Sequence, residues 1–240
     1  MAASIRGAWP LAAASLVAWL LLLTSSVSPA LPRFCGAAGQ FWTTMPAGME
    51  TAMRITPPHQ LLLSWLLMLC AMMLPLLHSP LAAVRARSRP GRRIQAMVTF
   101  LAAYAAAWTL AFVPIAATAA VLILAAPFEA AAPVAALCIA VAWQATTIKA
   151  RCREGCRLGP PLPLHTSDPG SLHHGFATAK ACVGSCWALM ALPLFFGEAH
   201  LLAMAAVAMV MLDERYPARP AGGTAKPAPR SAPGTEAPGR

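Results

Sequence analysis

Four long stretches of this chain contain no Asp, Glu, Lys or Arg and are apolar almost throughout: residues 9–27, 59–79, 94–126 and 130–148. A fifth, residues 177–196, has Lys180 as its one charged side chain. Each is long enough to cross a bilayer as a helix, which takes about 20 apolar residues within a range of roughly 17–25. Residues 199–212 are apolar but shorter, and read either as a tilted or locally thinned crossing or as an interfacial helix. Composition points the same way. Only 11% of the 240 residues are charged and 58% are hydrophobic, where a soluble domain carries about 25% charged residues. The expected fold is all-α, a polytopic transmembrane helical bundle with five or six spans.

The basic residues orient this bundle. Arg85, Arg87, Arg89, Arg92 and Arg93 separate the second and third runs, and Lys149, Arg151, Arg153 and Arg157 follow the fourth. Five more Lys and Arg lie between Arg215 and Arg240. With the amino terminus inside, fifteen of the eighteen Lys and Arg fall on one side, Arg6 included, and only Arg33 and Arg54 on the other. Lys180 sits at a membrane boundary. Cytoplasmic loops carry such an excess, so the net charge of +10 needs no nucleic acid. The reading is a multi-pass protein of a bacterial inner membrane with a cytoplasmic C-terminus.

Three regions follow. Residues 1–58 hold the N-terminal span and an external segment; a basic start, an apolar run and SSVSPA also fit a secretory signal peptide cut near Ala30, which would leave the remaining orientation unchanged. Residues 59–216 form the helical membrane domain. Residues 217–240 contain six Pro, four Gly and no Leu, Ile, Val or Phe, too little apolar area to offset ordering entropy, and read as a disordered cytoplasmic tail.

The residues that look like chemistry are two cysteine pairs of equal spacing, Cys152 with Cys156 and Cys182 with Cys186. Residues four apart share a helix face with Cβ atoms roughly 5–6 Å apart. Two thiolates on one zinc lie at most about 4.6 Å apart, from a Zn–S bond near 2.3 Å, so either pair can converge on one soft ion. The topology puts both pairs at the cytoplasmic face, Cys152 and Cys156 just past the fourth span and Cys182 and Cys186 in the first turns of the fifth. Thiols stay reduced there, which favours metal binding over a structural disulfide. Nearby Lys149, Arg151, Arg153 and Lys180 favour the thiolate, the form that binds metal.

Thioethers extend the set. Met190 continues the four-residue progression from Cys182 and Cys186. Met68 and Met72 share a face of the second span, whose Pro75 frees the carbonyl of Ala71. Thiolates and thioethers together favour Cu(I), with zinc as the other candidate. Cys70 and Cys138 read as small apolar residues, Tyr104, Trp108 and Trp143 as packing or interfacial residues, and His173 and His174 as solvated loop residues that could also supply nitrogen ligands. Gln144 and Lys149 close the fourth span, facing either the bundle interior or the interface. Glu198 and His200 fall in an external turn. Glycine loops for nucleotides, a zinc-protease motif and a hydrolytic triad are absent from the sequence.

With these residues laid out, the chain resembles a bacterial family of predicted metal-binding integral membrane proteins, some of whose members are labelled copper chaperones. The resemblance covers residues 64–214 and rests on SWLLMLCAMMLP, AWQATTIKARCREGCR, GFATAKACVGSCWALM and LDER, in that order. It implies that Cys152, Cys156, Cys182 and Cys186 form the metal site, with Met72 and Met73 as motif residues beside it. The chain departs from the family pattern at Ser185, where a cysteine is common, and at Ala199-His200, where Met-Asn is common.

The expected function is copper handling: binding, holding or passing on a soft ion at the cytoplasmic face, without enzymatic chemistry. Its partners would be the lipid bilayer, the metal ion and a metal-donor or acceptor protein. Two rivals remain open at this point: a membrane thiol-disulfide oxidoreductase coupled to quinone, and a small permease or permease subunit.

Overall fold

The computed structural model describes residues 2–27, 49–126, 128, 130–159 and 168–216. The tail at 217–240, the cleavage point near Ala30, Cys35 and most of the external segment lie outside the described residues. Among the described residues every regular element is helical. In chain order these are α1 (Ala2–Val27), α2 (Met49–Ile55), α3 (Pro58–Met73), α4 (His78–Arg87), α5 (Arg93–Ala125), α6 (Ala131–Gln144), α7 (Thr147–Leu158), α8 (Asp168–Ala191) and α9 (His200–Arg215). Short 3-10 turns at Leu74–Leu77, Pro90–Arg92, Leu192–Phe195 and Gly197–Ala199 join them.

The all-helical expectation holds, but five or six spans are not clearly present. Three helical stretches among the described residues are long and apolar enough to cross a membrane: Pro58–Arg87, Pro90–Ala125 and Pro169–Phe195. A fourth exists if α6 and α7 count as one span, but the chain bends by 69° between them. The bend has a local cause. The Thr146 hydroxyl donates to the Trp143 carbonyl at 2.8 Å and accepts the Lys149 backbone N–H at 3.2 Å. That caps a new helix, so the helical span expected over 130–148 stops at Gln144. Residues 9–25 of α1 form an apolar helix below that length, and α9, with 16 residues, is also too short.

Pro75 shows how sequence chemistry shapes the packing. Lacking an N–H, it leaves the Ala71 carbonyl without its helical donor. Two side chains of α1 supply replacements: the Ser15 hydroxyl donates to that oxygen at 2.6 Å and the Trp19 indole N–H at 3.2 Å. The freed carbonyl thus anchors α1 to α3, and the helix tightens into the 3-10 turn Leu74–Leu77 before continuing as α4.

The core lies between α3, α5, α8 and α9 and is rich in aromatic rings and methionine. Trp65, Phe100, Tyr104 and Trp108 meet Met68, Met72, Met73, Met190, Met204 and Met211 there, all buried. Trp65 stacks on Phe112 with ring centroids 4.2 Å apart. Helix α8 packs closely on α5 because Gly175 lets the backbones approach. A Cβ at Gly175 would lie 2.6 Å from the Phe100 carbonyl oxygen, and backbone cannot swing aside as a flexible side chain can. Gly175→Ala is therefore expected to destabilise the bundle by about 1–3 kcal/mol, the usual cost of overpacking. Chemical denaturation in detergent checks this; an unchanged midpoint would mean that α5 and α8 pack less closely.

Candidate metal-binding site

The two cysteine pairs ride on adjacent helices. In α7, Cys152 and Cys156 are half-buried while Arg151, Arg153, Glu154 and Arg157 are exposed, so an amphipathic helix turns its thiols inward. In α8, Cys182 and Cys186 are both buried. They are not in its first turns. The helix begins at Asp168, which places Cys182 about four turns in at 3.6 residues per turn. The earlier start also takes His173 and His174 out of the expected loop and into α8.

Cys182 is the hub. Its thiol lies within hydrogen-bonding reach of both Cys156 and Cys186. Tyr104 donates its hydroxyl to the same sulfur at 3.1 Å, and Met73 Sδ lies 3.9 Å away. Ser185 ties the group together: its hydroxyl donates to the Cys182 carbonyl at 3.0 Å, and its Oγ lies 3.2 Å from Cys186 Sγ and 3.8 Å from Cys156 Sγ. Three thiols from two helices thus meet a thioether from α3.

Cys152 occupies a different position. It packs on Gly184, where a Cβ would stand 2.6 Å from its sulfur. A cavity of about 40 Å³ opens beside the other three thiols, lined by Cys156, Cys182, Cys186, Thr178, Met211 and Glu214 among others. Cys152, Met72 and Met190 do not line it. Met72 and Met190 sit in the buried core; the Met73 thioether touches Cys182 and Met211 lines the cavity. Among the described residues, no three His, Cys, Asp or Glu side chains already stand in metal-ligand geometry. Holding one ion at the cluster would require its side chains to re-aim.

A buried ion pair braces the cavity from the side. Lys149 is only 2% exposed, and its ammonium lies 2.7 Å from Glu214 Oε1 while also donating to Gln144. Lys149 thus faces the interior, with the half-buried Gln144 beside it. The pair clips α7 to α9, and next to it the Arg215 guanidinium donates to the Cys156 carbonyl. Trp143 adds a tie from α6, its indole donating to the Gly184 carbonyl at 3.1 Å.

Tyr104, Ser185, Met211, Glu214 and Arg215 were not legible as site residues. Tyr104 is a lone phenol in an Ala- and Leu-rich run, and LDER stands out as a motif of the family resemblance without ligand-like spacing of its own. Only the packing of α5 and α9 against α8 gives them their roles. Other polar residues lie elsewhere: His174 is buried against Phe100, centroids 5.5 Å apart, and His200 Nδ1 lies 2.6 Å from the Pro193 carbonyl oxygen. Cys70 and Cys138 are free thiols apart from the cavity.

The family model PpoB2, described as copper chaperone, matches residues 62–227. No curated protein and no solved structure matches the chain.

Proposed function

The chain belongs to this copper chaperone family, and on that premise we propose that it is an integral membrane protein that binds Cu(I) through Cys156, Cys182 and Cys186 and passes it on. The convergence of three thiols with the Met73 thioether, beside a cavity that Met211 lines, supports this reading most directly. All-sulfur donor sets suit Cu(I) over hard cations, and zinc is the second candidate. Cys152, one turn along α7 from Cys156, packs on Gly184 and is left out of this ligand set. The role is transfer of cargo without enzymatic chemistry.

The membrane placement rests on the outward surface. Leu16, Leu20, Leu62, Leu63, Leu110, Val113, Val121, Val141 and Leu202 are all exposed. Water-soluble monomers rarely expose so broad an apolar surface, whereas acyl chains tolerate it. In this reading α1, α3 with α4, α5, α6, α8 and α9 cross a bacterial inner membrane, the shorter ones by tilt or local thinning. The C-terminus and the thiol cavity then open to the cytoplasm, where thiols stay reduced.

Topology reporters test this. Fusions after Arg89 and after Arg157 are expected to read as cytoplasmic, and one near Glu129 as periplasmic. A periplasmic reading after Arg157 would place the thiols on the oxidising side and make a thiol-disulfide oxidoreductase the better account.

A further inference from the structure

The thiols have a cationic mouth. Arg153, Arg157 and Arg215 line the same cavity as Cys156, Cys182 and Cys186. Its acidic lining residue, Glu214, is already neutralised by Lys149 at 2.7 Å. Arg153 and Arg157 are exposed on α7, four residues apart and hence on one face of the helix. Arg215 is held over Cys156 through its bond to the Cys156 carbonyl. Glu154, on the same helix, is exposed and is not part of the lining.

Such a mouth is the wrong sign for a bare or cationic copper species. Like charge lowers the local concentration of a cation, while guanidinium groups attract and pair with anions. Soft thiolates hold Cu(I), and a Cu(I) ion held by two of them carries a net negative charge. We propose that the copper donor is an anionic Cu(I)–bis(thiolate) complex that docks on Arg153 and Arg157 and exchanges its ligands onto this chain. The inference rests on the Cu(I) site assigned above.

Ligand exchange starts at Cys156, which is half-buried, whereas Cys182 and Cys186 are buried behind it. As the Cys156 sulfur bonds to copper, one donor thiolate leaves and takes the Cys156 proton. The Cys182 sulfur then displaces the second donor thiolate, which takes the Cys182 proton. Copper stays Cu(I), two donor thiols are released, and the negative charge is carried over to the protein-bound ion. No outside oxidant or base is required.

The test is the loading rate of reduced, full-length protein in a neutral detergent, measured with two donors. One is the anionic Cu(I)–bis(glutathione) complex, the other the tetrakis(acetonitrile)copper(I) cation. In wild type, raising salt from low ionic strength to about 0.5 M should slow loading from the anion and leave the cation unchanged or faster. The double variant Arg153→Glu with Arg157→Glu should lower the anion-to-cation rate ratio by about tenfold or more, the scale of electrostatic steering. Because the ratio is taken within one sample, loss of site integrity cancels from it. An unchanged ratio in the variant, or equal salt dependence for both donors in wild type, overturns the proposal. Uptake from neither donor would overturn the Cu(I) site itself, a separate failure.

Discussion

Cys182→Ser is expected to weaken Cu(I) binding by about 100-fold, and Cys152→Ser by far less. The structure makes Cys182 the shared neighbour of Cys156, Cys186, Met73 and Tyr104, whereas Cys152 packs on Gly184 outside the cavity. Four-ligand structural metal sites are worth roughly 10–16 kcal/mol, or about 3 kcal/mol per donor. A loss of that size is about two orders of magnitude in affinity. Cys156→Ser and Cys186→Ser should resemble Cys182→Ser, because one ion draws on all three. Competition against a Cu(I) chelator of known affinity measures each variant. Equal losses for Cys152→Ser and Cys182→Ser would mean that α7 rotates to bring both of its thiols onto the metal.

The second large effect concerns the buried charges. Lys149→Met removes the partner of Glu214, whose side chain is only 18% exposed. Leaving one member of a buried pair uncompensated typically costs about 3–5 kcal/mol, while replacing both members by apolar residues is often neutral. Partial exposure of Glu214 puts the expected loss near the lower end, roughly 3 kcal/mol. Lys149→Met with Glu214→Leu should recover most of it. Denaturation in detergent of both single variants and the double variant forms the complete cycle; additive losses would show that the pair contributes no coupling. Because the pair joins α7 to α9, the single variants should also loosen the approach of Met211 and Arg215 to the thiols.

These expectations show where sequence and structure part. The long apolar runs announced helices because burying that much apolar surface leaves the backbone few other ways to satisfy its hydrogen bonds. Pro75 told which carbonyl would be freed, since that follows from covalent chemistry; Ser15 and Trp19 as its new donors depended on how α1 docks. The break at Thr146 was hidden inside an apolar run, because the Thr hydroxyl competes with the helix only once the chain has turned there. The apolar signal of α8 begins at Ala177, yet the helix extends back to Asp168, since polar residues prolong a helix without leaving an apolar signature. The spacing of each cysteine pair was legible from helix geometry. Which three thiols converge was not, because it depends on Gly184 admitting Cys152 and on Ser185 joining Cys156 to Cys186.

The most direct measurement is Cu(I) uptake by purified, fully reduced protein, compared with the variant carrying Ser at Cys152, Cys156, Cys182 and Cys186. The account predicts one tightly held Cu(I) per chain in wild type and none in the fourfold variant, with both proteins monodisperse in detergent. Equal uptake by the two, or no uptake by either, would contradict it.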